Sequence, residues 1–308
     1  MSLEGSIDIF DTDNNYWIKL IGFLIGIVVL GITCFVDDSK GIPSWVKLIA
    51  QVMAAIIVAV CGIRIENINL PFIDNKIFFY EWFSYIITVG WIVGITNAIN
   101  LIDGLDGLSS GITLISCVSL LIIFLLTPSS PLISILLITA LAGSIVGFLP
   151  FNFSPAKTFI GDVGSNFLGF SLAVISILGV AKTYTALVLI APIIVLGLPI
   201  FDTIFAIIRR IIKGKSIKAV FKADKGHLHH RLMKRGYTQK QAVLILYGLT
   251  ATLGMFAIIL LESGIWKALS FALLVIAIIA IGYKDIFRVK QEEDNIDTVD
   301  EKHIRTDK

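Results

Sequence analysis

Asp37 and Asp38 stand side by side at the end of an apolar run, after Phe35-Val36 and before Lys40, Pro43 and Lys47. Adjacent carboxylates repel each other, so one holds its proton more tightly and can serve as a base. They also offer the hard oxygen donors that Mg²⁺ prefers. The plainer alternative is a pair of solvated aspartates capping the next helix. A second polar island is NAINLIDGLDGL, residues 97–108. Asn97, Asn100 and Asp103 step by three, which makes successive members neighbours on a helix. Gly104 and Gly107 then let the backbone leave the helix near Asp106 and approach a ligand. Two amides and two carboxylates at the end of an apolar span are costly without a partner or a function; the alternative is a polar turn between helices.

The third island, residues 152–165, holds Lys157 and places Asp162 between Gly161 and Val163-Gly164 at the start of another apolar run. A helix N-terminus offers free N–H groups to phosphate, and Asp162 can hold a divalent cation beside it or simply cap the helix. The fourth island carries three of the four histidines: Asp224-Lys225-Gly226-His227-Leu228-His229-His230-Arg231, with Arg209-Arg210 upstream. Neutral imidazole can bind a base or move a proton, and Arg and Lys can clamp a diphosphate. A zinc site is the rival reading, but no cysteine is near and the spacing matches no common structural zinc pattern. A basic loop touching lipid headgroups is another. Cys34, Cys61 and Cys117 lie inside apolar runs and read as small packing residues.

The elements that must position these islands are membrane helices. The chain is 56% hydrophobic and 16% charged, with a mean hydropathy of +0.89, against about 45–50% apolar and about 25% charged in soluble domains. A helix needs about 20 apolar residues to cross the hydrocarbon. Runs of that kind fall at 17–36, 44–63, 82–101, 108–126, 132–150, 164–181, 184–208, 241–261 and 265–283. The expected fold is therefore an all-α polytopic membrane protein of about nine transmembrane helices. Lys40, Lys157, the basic stretch 209–240 and the Lys284–Lys290 region belong to one set of loops, and Arg64, Lys76 and Lys182 to the other. The positive-inside rule puts the first set, and with it all four islands, in the cytoplasm. The N-terminus is then outside and the C-terminus inside.

Residues 1–16 read as an acidic extracytoplasmic segment without the basic start of a cleavable signal, 17–283 as the transmembrane catalytic domain, and 284–308 as a disordered cytoplasmic tail. The alternation in 64–81, around Pro71 and Asp74-Asn75, suits a small β-hairpin on the outer surface. No Walker loop, dinucleotide-binding fingerprint or nucleophile with a matched base is present, and no nucleic-acid partner is expected. One-sided carboxylates, amides, histidines and cations on apolar helices suit an anionic nucleotide and a lipid partner.

Taken in order, FVDD, NAINLIDGLDGLSSG, FNFSPAKTFIGDVGS and DKGHLHHRL resemble the polyprenyl-phosphate N-acetylhexosamine-1-phosphate transferases over about residues 17–283, most closely the bacterial undecaprenyl-phosphate N-acetylglucosamine branch. The resemblance implies transfer of GlcNAc-1-phosphate from UDP-GlcNAc to undecaprenyl phosphate, with release of UMP, as the first membrane step of teichoic acid or other surface-glycan synthesis. It implies transmembrane helices packed around a cytoplasmic-facing cleft and Mg²⁺ as cofactor, with Mn²⁺ as a substitute, and allows a homo-oligomer in the cell membrane. By resemblance Asp37 and Asp38 are the catalytic pair, Asp103 and Asp106 the second acidic pair, and Asn100 and Asp162 the metal ligands. Lys47, Asn97, His227, His229, His230 and Arg231 are then substrate-binding residues. His-Leu-His-His-Arg, where a muramoyl-pentapeptide branch has a run of histidines before an aromatic, favours the GlcNAc donor.

Mg²⁺ on the diphosphate would neutralise charge and help UMP leave, while Asp37 or Asp38 orients or deprotonates the lipid phosphate. Direct attack and a two-step aspartyl-phosphate route are both open. Family members usually carry two further spans before the FVDD helix. Their absence here sets up the expectation of a slow enzyme, or of an inactive paralogue serving as a scaffold. A transporter of a polar lipid headgroup is the remaining alternative. It should place ionisable groups at mid-membrane and show inverted repeats, neither of which is evident.

Overall fold

The computed structural model describes residues 16–68, 77–180, 186–214 and 226–276. Its elements in chain order are α1 (Tyr16–Lys40), α2 (Ser44–Val60), β1 (Asn67–Ile68), β2 (Ile77–Phe78), α3 (Glu81–Ile102), α4 (Leu108–Leu126), α5 (Leu132–Asn152), α6 (Gly161–Val180), α7 (Ala186–Val195), α8 (Gly197–Gly214), α9 (Leu228–Lys234) and α10 (Gln239–Ser263). A short apolar helix, α11 (Ile265–Ile276), follows; it belongs to a second compact unit that begins at Glu262. The structure is that of an all-α membrane protein.

Six helices, α1, α3, α4, α5, α6 and α10, are long and apolar enough to cross a bilayer. The run expected at 44–63 forms the 17-residue α2, and of the run at 265–283 only α11 lies within the described residues. The single span expected at 184–208 is instead two helices, broken at Leu196. Proline explains the break. Pro199 has no N–H to donate and its ring crowds the carbonyl of Val195, so α7 ends there and α8 restarts at Gly197. The restarted helix is strongly two-faced: Phe201, Ile204, Phe205, Ile208 and Ile212 are exposed, while Asp202 is buried.

The bundle is built around α6, which is buried along nearly its whole length from Ser165 to Val180. It packs against α1, α3, α4, α5 and α7. Small residues permit the closest approach, as expected where lipid removes the hydrophobic drive between helices. A Cβ on Gly22 of α1 would stand 2.5 Å from Cβ of Cys61, and one on Gly26 would stand 2.5 Å from the ring of Phe170 in α6. The other side of α1 presents Trp17, Ile21, Leu24, Val28 and Ile32 outward, as a lipid-facing helix should.

β1 and β2 pair antiparallel, with Asn67 opposite Phe78 and Ile68 opposite Ile77. This is the hairpin expected at 64–81, although its turn with Pro71 and Asp74-Asn75 lies outside the described residues. So do the N-terminal segment 1–15, Asp224-Lys225 and the tail expected at 284–308. The hairpin is tied to α3 by Arg64, which donates to Glu81 (3.0 Å) and Glu66 (3.2 Å) and lies over the ring of Tyr85. This group marks one end of the bundle. The end of α1, the start of α2, the end of α3 and the start of α6 meet at the other end.

Candidate active site

Chain direction explains why charged residues of distant sequence converge there. Helices α1 and α3 arrive at this end and carry their polar residues in the last turn. Helices α2 and α6 leave from it and carry theirs in the first. At the end of α1 the chain turns through Gly41, at φ 67°, a left-handed conformation that glycine adopts without strain. Asp37 holds that turn: its Oδ1 accepts from Ile42 N at 2.7 Å. The other oxygen of Asp37 accepts from Lys47 Nζ at 2.6 Å, and the same ammonium donates to Asp162 Oδ2 at 2.7 Å. Asp38, exposed beside them, completes a cluster in which one oxygen from each of Asp37, Asp38 and Asp162 lies within 4.8 Å of the others.

Three carboxylates so close repel one another, and a cation among them relieves that repulsion. The Lys47 ammonium stands in for one here. Three hard, anionic oxygen donors at such spacing, partly open to solvent, fit a divalent ion that keeps several waters, as Mg²⁺ does. Asn100 flanks Asp162: its side-chain N–H₂ donates to Asp162 Oδ1 (3.1 Å) and to Ser165 Oγ (2.9 Å). Asp162 itself sits in the first turn of α6 after Gly161, at φ 64°, where helix N–H groups favour negative charge.

Asp103 and Asp106 stand outside this cluster and secure the loop between α3 and α4. Asp103 Oδ1 accepts from Ser109 Oγ at 2.6 Å. Burial pushes its carboxyl up to about 6; the Ser109 bond opposes that shift and the Asp162 charge adds to it. Asp106 Oδ2 accepts from Ala156 N at 3.1 Å and so ties this loop to the one before α6. Gly107, at φ 75°, turns the chain into α4, and the hydroxyl of Tyr247 in α10 donates to its carbonyl.

The histidines dock on the same loop. His229 is 1% exposed, and its imidazole packs so closely over Gly104 that any Cβ there would collide with it. Its ring lies parallel to that of His227, at 5.9 Å, and edge-on to His230, at 4.2 Å. Burial, followed by the neighbouring His230, pushes the pKa of His229 down to about 4, so the ring is neutral at neutral pH. Among the described residues neither of its nitrogens has a hydrogen-bond partner. His227 is held by Asp202 of α8: Nδ1 lies 2.8 Å from Oδ2, and Oδ1 accepts from Leu228 N at 2.9 Å. Asp202 thus orients the ring and caps the start of α9. Arg209 reaches Gly226 O at 2.7 Å, while Arg231 lies exposed on α9.

A cavity of about 520 Å³ opens beside the carboxylates between α2, α3 and α8. Its lining combines Lys47 and Arg210 with the amides of Gln51, Asn97, Asn100 and Asn166 and the apolar side chains of Leu48, Val93 and Ile207. Of the residues singled out in the sequence, Asp37, Asp38, Lys47, Asn100 and Asp162 come together. Asn97 lies one turn deeper, and Asp103, Asp106 and the histidines form a neighbouring group. Three polar residues that the sequence reading passed over belong to these groups: Asp202, Gln51 and Asn166. A carboxylate inside the run 184–208 signals the first. The i+4 spacing from Lys47 and from Asp162 signals the other two.

The family model described as glycosyl transferase family 4 matches residues 20–180. Over 243 residues the chain is 42% identical to a probable undecaprenyl-phosphate N-acetylglucosaminyl 1-phosphate transferase of Bacillus subtilis, a match covering 79% of this chain and 65% of that protein. It is 32% identical over 244 residues to the decaprenyl-phosphate N-acetylglucosaminephosphotransferase of Mycobacterium tuberculosis, covering 72% and 58%. A phospho-N-acetylmuramoyl-pentapeptide-transferase of Limosilactobacillus reuteri is 37% identical over 158 residues, covering 50% and 47%. The chain thus spans under two thirds of the length of each of these relatives.

Proposed function

Because the chain belongs to glycosyl transferase family 4, we propose that it moves GlcNAc-1-phosphate from UDP-GlcNAc to undecaprenyl phosphate on the cytoplasmic face of the cell membrane. The product is a lipid-linked diphosphate sugar for a surface glycan of the teichoic acid kind, and UMP is released. One observation carries this reading above the others: the Asp37–Asp38–Asp162 cluster, bridged by Lys47, lies beside a cavity in which Lys47 and Arg210 stand among the amides of Gln51, Asn97, Asn100 and Asn166 and the apolar side chains of Leu48, Val93 and Ile207. Such a lining suits a phosphate carried on a lipid. The names of the Bacillus and mycobacterial relatives support the polyprenyl acceptor and the GlcNAc donor.

Asp37, Asp38 and Asp162 would hold Mg²⁺, with Asn100 beside them. When bound, the ion neutralises diphosphate charge and stabilises the leaving UMP. Lys47 and Arg210 line the cavity, where they can orient the acceptor phosphate. Asp37 or Asp38 takes or directs its proton. The acceptor oxygen forms a bond to the β-phosphorus of the donor as the bond from that phosphorus to the oxygen of UMP breaks. His229, neutral and unpartnered among the described residues, carries one donor and one acceptor for the nucleotide, and Arg231 adds charge for the diphosphate. The decisive experiment incubates the purified chain with radiolabelled UDP-GlcNAc and undecaprenyl phosphate. Magnesium-dependent label in the lipid phase, with stoichiometric UMP, is expected. Label that survives Asp37→Asn and Asp162→Asn unchanged would overturn the assignment of the site.

A further inference from the structure

One turn deeper in the bundle than the charged cluster lies a second polar layer made only of amides. Gln51 follows Lys47 by four residues on α2, Asn166 follows Asp162 by four on α6, and Asn97 precedes Asn100 by three on α3. Each amide therefore shares a helix face with a residue of the site. The amides form a directed chain. Asn97 Nδ2 donates to Gln51 Oε1 at 2.6 Å, Gln51 Nε2 to Asn166 Oδ1 at 2.8 Å, and Asn166 Nδ2 to the backbone carbonyl of Asp162 at 2.8 Å. Gln51 is 4% exposed and Asn166 2%.

We infer that this amide layer, with Gln51 at its centre, is a positioning device that sets the rotation of α2 and α6 and so brings Lys47 and the three carboxylates into register for the cation. The inference rests on the reading of Asp37, Asp38 and Asp162 as a metal site. Apolar contacts between helices are non-directional and tolerate rotation and sliding. An amide presents donors on one side and an acceptor on the other, so a buried amide bridging two others is satisfied in one arrangement only. The chain ends on Asp162 itself, whose side chain meets Lys47 at 2.7 Å and Asn100 at 3.1 Å. Gln51 touches no carboxylate of the cluster, and acts through Asn166.

The test measures Mn²⁺ binding by electron paramagnetic resonance on the full chain in lipid nanodiscs. Gln51→Leu and Gln51→Glu are compared with wild type and with Ser171→Ala, a buried α6 hydroxyl outside the layer. Gln51→Leu should weaken Mn²⁺ about 10-fold, the lower end of the range for partners that orient metal ligands, and lower kcat with it. Gln51→Glu keeps an acceptor for Asn97 but cannot donate to Asn166, and should fall between Gln51→Leu and wild type. Ser171→Ala should bind as wild type does. Unchanged Mn²⁺ affinity in the glutamine variants, or a loss confined to acceptor KM, overturns the inference. If Gln51→Leu does not insert, Gln51→Glu decides by the same criteria. Failure of wild type to bind Mn²⁺ overturns the metal reading beneath, and the layer's role with it. Wild-type binding with unaffected glutamine variants removes the layer alone.

Discussion

The carboxylate cluster and the histidine cluster are neighbours with opposite internal balance. Around Asp37 and Asp162 the strong demands are met from within: an ammonium between the two carboxylates, an amide on Asp162, a backbone N–H on Asp37. Around His229 the reverse holds. The imidazole is buried against Gly104, yet neither nitrogen has a partner among the described residues. A buried polar group without a hydrogen bond costs about 1–3 kcal/mol. The first cluster is thus assembled with a lysine ammonium among its carboxylates. The second holds a hydrogen-bonding capacity that no described residue fills.

The largest expected effect breaks the first cluster. Asp162→Asn, in protein that inserts normally, should lower transfer of labelled GlcNAc-phosphate by at least about 100-fold, the scale of losing a group needed in the transition state. Activity near wild type would mean that the cluster is only structural.

Lys47→Met sharpens the same point without removing a carboxylate. It leaves like charges facing one another. In chelator, thermal stability in detergent should fall by about 2 kcal/mol, between the values for exposed and buried ion pairs. Mg²⁺ should restore most of it. An equal loss with and without Mg²⁺ would show that the ammonium does not stand where the ion binds.

His229→Leu should behave in the opposite way. Replacing a buried, unpartnered imidazole with an apolar side chain should leave stability unchanged or slightly raised, while the KM for UDP-GlcNAc rises about 10-fold, the loss of one good hydrogen bond. A stability loss as large as that of Lys47→Met would erase the contrast between the clusters.

The smallest effect lies between them, at Asp103. Its folded pKa of about 6 is above the ordinary aspartate value because the carboxyl is buried. The folded state therefore binds more protons than the unfolded state from about pH 4 to 6, and stability falls as pH rises through that window. Between pH 5 and 6 the fall should be at most about 1 kcal/mol. Asp103→Asn should flatten that part of the curve in thermal melts across pH. A variant with the same slope as wild type would assign the titration elsewhere.

Much of this molecule is legible in one dimension. Runs of about 20 apolar residues oblige the backbone to satisfy its own hydrogen bonds in lipid, so α1, α3, α4, α5, α6 and α10 follow from length and hydropathy alone. Polar islands at the ends of those runs locate the site, because charge is tolerated there and costly deeper in. The broken helix at Leu196 was written in the sequence too, in Pro199, but the unbroken hydropathy of 184–208 concealed it.

Hydropathy cannot say which islands touch. Asp37, Asp38 and Asp162 form one cluster because α1 arrives where α6 departs, with small residues letting those helices close up. Asp103 and Asp106, carboxylates of another island, hold loops instead through Ser109 and Ala156. Asp202 acquired its meaning only when α8 brought it to His227, and Gln51 when three helices met around it. The sequence by itself determined the helices and the end of the bundle where polar groups could gather, because both depend on local chain and solvent. Which side chains became partners was decided by tertiary packing alone, because hydrogen bonds and ion pairs act over a few ångströms and depend on how neighbouring helices are rotated.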